Sequence, residues 1–173
     1  MKKISLVLIC LMFSTIGFAE SFKYNIFTDC TDVTSWFFRD TDKKRCEVKL
    51  ENICKKELAG ELADVTFASK QGFDYILGVC TTSEEVKLKA GSAINMYNFW
   101  LSNIDVDFYN HYRFSAHEKT KEEKERAEQI DINSNQNTLQ LSLACQSLGG
   151  DIKEKLFDAK NTDNIYVLGK CQN

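Results

Sequence analysis

Residues 74–80 read DYILGVC, and residues 165–171 read IYVLGKC. Each phrase ends on a cysteine that follows another by 26 positions, Cys80 after Cys54 and Cys171 after Cys145. Laid over one another without gaps, the two segments also share Ala68/Ala159, Tyr75/Tyr166, Leu77/Leu168 and Gly78/Gly169, and Ile76 falls on Val167. With the offset shortened by one residue, Leu58-Ala59-Gly60-Glu61-Leu62 falls on Leu148-Gly149-Gly150-Asp151-Ile152. Two matched phrases between equally spaced cysteines read as an internal duplication, with repeats near 46–80 and 137–171.

Each copy reads as a helix followed by a β-hairpin. Cys46, Leu50, Ile53, Cys54 and Leu58 recur at helical spacing. Gly60 then suits a helix stop, since glycine takes the left-handed conformation at no steric cost. Val65, Phe67 and Ser69 alternate with polar neighbours, Lys70-Gln71-Gly72 supplies a turn, and Phe73, Tyr75, Leu77 and Val79 alternate again. In the second copy Leu141, Ala144, Cys145 and Leu148 share a helical face. A strand through Leu156, the polar turn Asn161-Thr162-Asp163-Asn164 and a strand from Ile165 follow.

Six cysteines allow 15 pairings, and the repeat selects one. A duplicated unit keeps its own staple, so Cys54 pairs with Cys80, Cys145 with Cys171, and Cys30 with Cys46 by elimination. The expected fold class is α+β: two disulfide-stapled helix–β-hairpin repeats flanking a central helical segment. In that central segment Ser83 reads as a helix cap followed by Glu84 and Glu85. Val86, Ala90, Ala93, Ile94, Tyr97, Trp100, Leu101 and Ile104 continue at helical spacing. Residues 105–116 fit helix or strand equally well. Residues 118–129, EKTKEEKERAEQ, read as a solvated helix, and the Asn-rich stretch 130–138 as a connector. Phe22, Tyr24 and Ile26 alternate as a first strand.

The N-terminus reads as an export signal. Lys2 and Lys3 precede an apolar run from Ile4 to Phe18, and Gly17 and Ala19 set a cut before Glu20. Its brevity suggests a bacterial source. Residues 1–19 are therefore expected to be removed, leaving 20–173 as a single secreted domain, soluble in the periplasm or outside the cell. No membrane span is expected after cleavage. Cys10 and both leader lysines leave with the signal, so the mature chain carries six cysteines and 20 basic against 25 acidic side chains, a net charge of −5. An even cysteine count in an oxidising compartment reads as three disulfides. The acidic balance speaks against a nucleic-acid partner bound through bulk charge.

Chemistry is sparse. His111 and His117 do not share a helical face, and Glu118 does not complete a zinc-protease motif. Asp105 and Asp107 lack the further oxygens and the glycine of a calcium loop. No C-x-x-C, no phosphate-binding loop and no nucleophile elbow occurs, and all six mature cysteines are claimed by disulfides. No cofactor is expected, and the chain reads as a non-enzyme. The functional lead is aromatic: Trp36, Phe37 and Phe38 stand together inside the short Cys30–Cys46 loop, where not all three can face one core. Exposed aromatics anchor protein interfaces. Tyr97, Trp100 and Tyr112 read instead as core. The expected function is a non-catalytic binding protein whose partner is a protein of the envelope or extracellular space. An inhibitor or immunity-type protein for an envelope-acting enzyme is one form of it. The alternatives are a secreted virulence or colonisation factor and a cell-wall hydrolase.

Overall fold

The computed structural model describes residues 21–31, 40–70 and 73–173. Residues 1–19, expected from sequence to be an export signal, and the Trp36, Phe37 and Phe38 cluster lie outside the described residues. Strands β1 (Phe22–Asp29), β2 (Glu61–Lys70), β3 (Phe73–Thr82), β4 (Ala93–Ser102), β5 (Asp151–Lys160) and β6 (Asn164–Gln172) close into an antiparallel barrel in the order β1-β3-β2-β5-β6-β4. Helices α1 (Asp40–Leu58), α2 (Asn103–Phe114) and α3 (Lys121–Ser147) complete the α+β fold.

Helix α1 precedes the β2–β3 hairpin, and α3 precedes the β5–β6 hairpin. Cys54–Cys80 ties α1 to β3, and Cys145–Cys171 ties α3 to β6, with Cα–Cα distances of 5.6 and 5.5 Å. Cys30–Cys46 is the third disulfide. The helices are held because each has one apolar stripe. Cys46, Leu50, Cys54 and Leu58 recur every four residues on α1 and are fully buried, as are Leu141, Cys145 and Leu148 at the end of α3. Asp42 is also buried and Ile53 packs against the core, while the charged side of α1 faces solvent, with Lys55 paired to Glu51 one turn back at 2.6 Å.

Both helices stop in the same way. Ala59 (φ 53°) and Gly149 (φ 80°) take the left-handed conformation. The next residue then donates its N–H back to the helical cysteine, Gly60 to Cys54 at 3.2 Å and Gly150 to Cys145 at 3.1 Å. Gly60 is thus not the left-handed residue that the sequence suggested. Its role is close approach: a Cβ there would lie 2.6 Å from the Thr81 carbonyl oxygen and 2.7 Å from Cys80 Sγ, and one on Gly150 would lie 2.8 Å from the Gln172 carbonyl oxygen. Between its last cysteine and its last buried leucine α1 has one residue more than α3. The hairpins compensate, since β2 has one register shift against β3 and β5 has two against β6.

The strands bury both faces. One face meets the helices through Tyr24, Ile26, Ile76, Ile94, Met96 and Val167. The opposite face, which in a closed barrel lines the interior, is filled by Phe27, Ala68, Tyr75, Leu77, Tyr97, Ala159, Tyr166 and Leu168. Edge-to-face ring pairs of Phe27 with Tyr75 and of Tyr97 with Tyr166 fix the packing there, at 5.8 and 5.7 Å.

The central segment is not helical throughout. Residues 83–92 form no helix: Val86 N donates to Tyr24 Oη (3.1 Å), and Leu88 N to the Leu148 carbonyl (2.9 Å). Ala93–Ser102 is strand β4, paired along its length with β6. Residues 105–114 belong to α2, and 130–138, expected as a connector, lie inside α3.

Candidate functional site

Helix α2 interrupts the connection from β4 to α3. It starts because the Ser102 side chain accepts from Asp105 N (3.1 Å), with Asp105 in the positive first turn. Asn103 fastens this end to the β5–β6 turn: its N–H donates to the Asp163 carbonyl (2.9 Å), and its Nδ2 to the carbonyls of Asn161 (3.1 Å) and Thr162 (2.6 Å). The six apolar and aromatic residues of NIDVDFYNHYRF are Ile104, Val106, Phe108, Tyr109, Tyr112 and Phe114. At about 100° per residue they spread round the whole circumference, so no single packing face can take them all. The outcome is unusual for so apolar a helix: none of its residues is buried. Ile104 and Phe114 are 73% and 78% exposed.

Polar and cation–π contacts, not a core, hold α2 against α3. The Arg126 guanidinium lies 4.0 Å from the Phe108 ring centroid and 3.3 Å from Asp105 Oδ1. Phe108 stacks on Tyr112 at 6.1 Å, and Lys119 Nζ lies 5.3 Å from the Tyr112 ring while donating to the Ser115 carbonyl (2.8 Å). The link into α3 is pinned by a capping box, with Thr120 N donating to Glu123 Oε2 (2.8 Å) and Glu123 N to Thr120 Oγ1 (3.2 Å). The result is a preformed aromatic shelf. Between it, β4 and α3 lies a cleft of about 140 Å³ lined by Trp100, Leu101, Val106, Tyr109 and Ile130, with the polar Asn110, Asp131 and Ser134. Trp100, expected in the core, is partly buried, packs against the core and also lines this cleft; Tyr112, also expected there, lies on the shelf. The cleft is below the range of about 300–1,000 Å³ typical of small-molecule pockets. Its size and lining suit one apolar side chain.

The two histidines come closer than their spacing suggested. The chain folds back after α2, and their rings lie 6.0 Å apart. His117 Nε2 is 3.0 Å from Glu123 Oε1, and His117 Nδ1 contacts Ser115 Oγ. The Thr120 N–H and the His117 ring together hold the Glu123 carboxyl below its usual range. A serine, an imidazole and a carboxylate thus stand in series. Among the described residues, Ser115 lines neither the shelf cleft nor the depressions beside Gly60 and beside Asn161. Its own N–H is taken by the His111 carbonyl at 2.9 Å. The series fastens the α2–α3 link. Asp105 faces Ser102 and Arg126, and among the described residues no three carboxylate, imidazole or thiol groups gather as a metal site.

Of the residues singled out from sequence, the structure thus places the six cysteines in three bridges. It puts the shelf where sequence reasoning chose neither helix nor strand. Compared with protein-family models, with curated proteins and with solved structures, the chain matches none.

Proposed function

We propose that the protein is a non-catalytic binding protein, exported to the periplasm or the cell exterior, that grips a protein partner with the α2 shelf. The observation that carries this reading is a helix with six apolar and aromatic residues of which none is buried, fastened in place by Arg126, Lys119 and Asn103. Apolar side chains left uncovered together on a surface mark an interaction site. Pre-ordered aromatics beside a pocket of one-side-chain size are the usual anatomy of an interface hot spot. Three disulfides suit an oxidising compartment, and among the described residues no helix is long and apolar enough to cross a membrane.

The scaffold, in this reading, is a duplicated strand–helix–hairpin unit. Support comes from the barrel seams, where Ile26 pairs with Met96 and Ser69 with Lys160. In each pair the partners occupy corresponding places in the two halves. The aromatic segments fall at corresponding places too. Trp36, Phe37 and Phe38 stand between β1 and α1, and α2 stands between β4 and α3. The duplication therefore supplies a stapled frame with one variable connection per copy, and the second connection has grown into the shelf.

An inhibitor or immunity-type role against an envelope-acting enzyme is the form that suits a small acidic chain; a factor directed at a host protein would use the same surface. The test is capture from the producing cell's own envelope and culture fractions, comparing the wild-type chain with an Ile104→Ser/Phe114→Ser variant. A protein held by the wild type and released by the folded variant supports the reading. Equal retention by both removes the shelf from it.

A further inference from the structure

Helix α3 leaves a second apolar feature uncovered, on the side away from the barrel. Ile132, Leu139 and Leu143 are 42%, 57% and 46% exposed, while Ala127, Ile130, Leu141 and Cys145 on the other side are buried. With Gln136, the three apolar residues step along the helix by four, three and four, which is the seam spacing of a coiled coil. Continued to Gln129 and Gln146, the seam runs about 25 Å at 1.5 Å per residue.

Charge tells what can cover it. From Ile132 to Gly150 the chain carries no Asp, Glu, Lys, Arg or His. Helix α1 is the opposite, with 11 of its 19 residues charged. At the positions 91 residues earlier α1 has Thr41, Val48 and Asn52, so the apolar seam belongs to α3 alone. Asn133, Asn135, Gln140 and Ser142 flank the seam. A face with no charge offers nothing for a charged partner to read, and it meets its own copy without like-charge repulsion. Gln136, the one polar residue between Ile132 and Leu143 on this seam, is the kind of device that sets register and orientation between paired helices.

We infer that two copies of this chain associate through α3, antiparallel about a two-fold axis, with Ile132 of each copy against Leu143 of the other and Gln136 against Leu139. Such a contact is isologous and closes at the dimer. It is also small, with three apolar residues per side against about 20–30 residues in a standard interface, so the dimer dissociates on dilution. The contact is separate from the α2 shelf and leaves one shelf per copy, so paired copies would hold a paired partner with gained avidity.

Sedimentation velocity of the oxidised chain over a concentration series tests this. The expected result is a reversible monomer–dimer equilibrium for the wild type, a monomer for Leu139→Glu and for Leu143→Lys, and an unchanged equilibrium for Val48→Glu on α1. Thermal melts show that each variant is folded, since all three sites are on the surface. A double variant Gln136→Lys/Leu139→Glu is expected to regain association, because the new charges face each other between copies. A wild-type monomer throughout, or a dimer that survives Leu139→Glu, overturns the inference. So does a dimer lost only in Ile104→Ser/Phe114→Ser, which would seat the second copy on the shelf.

Discussion

Ile26 on β1 lies opposite Met96 on β4, and each is also the residue opposite a glycine within its own half, Gly78 on β3 and Gly169 on β6. Such a pairing is what the proposed two-fold duplication requires at the point where its axis meets the sheet. Ser69 opposite Lys160 repeats the relationship at the other seam. Among the described residues each seam shows one bridge pair, and the two three-stranded halves are joined further by a shared interior of Phe27, Tyr75, Leu77, Tyr97, Tyr166 and Leu168. Each half also carries its own helix and its own helix-to-strand disulfide.

Serine at Cys145, at Cys171 or at both is therefore expected to cost about 3–4 kcal/mol, the chain-entropy value for a loop of this length. The double variant is expected to lose no more than either single one, because both remove the same bond. Urea unfolding midpoints measure the loss, and non-reducing peptide mapping checks the three pairings.

Gly60→Ala and Gly150→Ala are expected to destabilise by about 1–3 kcal/mol, as over-packing does, since the new methyl groups meet backbone oxygens that cannot retreat. Gly91→Ala, at φ 78° in open space, carries only the backbone cost of roughly 1 kcal/mol. The ranking of the three in urea is the check.

The hairpins were legible because period-2 alternation is a local signal that packing reinforces, and the disulfide pairing because the same 26-residue cysteine spacing recurs in the two matched segments. The sequence of strand β4 carries helical spacing for a definite reason. Ile94 and Met96 face the helices while Tyr97 faces the barrel interior, and a register shift between Phe99 and Leu101 breaks the alternation again. A strand buried on both faces has no period of two left to read. The Asn-rich stretch 130–138 was read as connector on propensity, but tertiary bonds override it. Asn137 Nδ2 donates to the Trp100 carbonyl (3.0 Å), and Asn98 Nδ2 donates to the Asn137 carbonyl (2.7 Å). The shelf was hidden because apolar residues all round a helix look the same in sequence whether the helix is buried or waiting for a partner. The uncharged run from Ile132 to Gly150 was visible in the sequence, but which of its residues face outward was not.

Alkaline pH is expected to destabilise the protein through Tyr97. Burial, with smaller contributions from Tyr166 and Asp64, pushes its phenol up to about 12 from 10.0. A raised pKa means the neutral form is favoured in the fold, so this stabilisation is complete below pH 10 and is lost as pH rises towards 12. The shift is equivalent to about 2–3 kcal/mol. Tyr97→Phe is expected to flatten the decline of stability over that window, read from urea melts at successive pH values.

Acid acts through Glu123 in the opposite sense. Its lowered pKa gives a stabilisation that is present above the ordinary carboxyl range and is lost as pH falls through the lowered value. Glu123→Gln is expected to remove that dependence and to loosen the α2–α3 link, seen as faster amide exchange over residues 115–123 at neutral pH.

On the shelf, Ile104→Ser and Phe114→Ser are expected to leave unfolding free energy within about 0.5 kcal/mol, as surface changes do. Partner affinity is expected to fall about tenfold or more for at least one of them, the behaviour of a hot-spot residue. Calorimetric titration with the captured partner separates the two effects.

The most direct measurement is site-specific photo-crosslinking in the producing cell, with a photoreactive phenylalanine analogue placed at Phe114 and, as a control, at Glu47 on the charged face of α1. The account predicts a discrete protein adduct from position 114 and none from position 47. No adduct at 114, or the same adduct from both positions, would contradict the claim that this protein works by gripping a partner with α2.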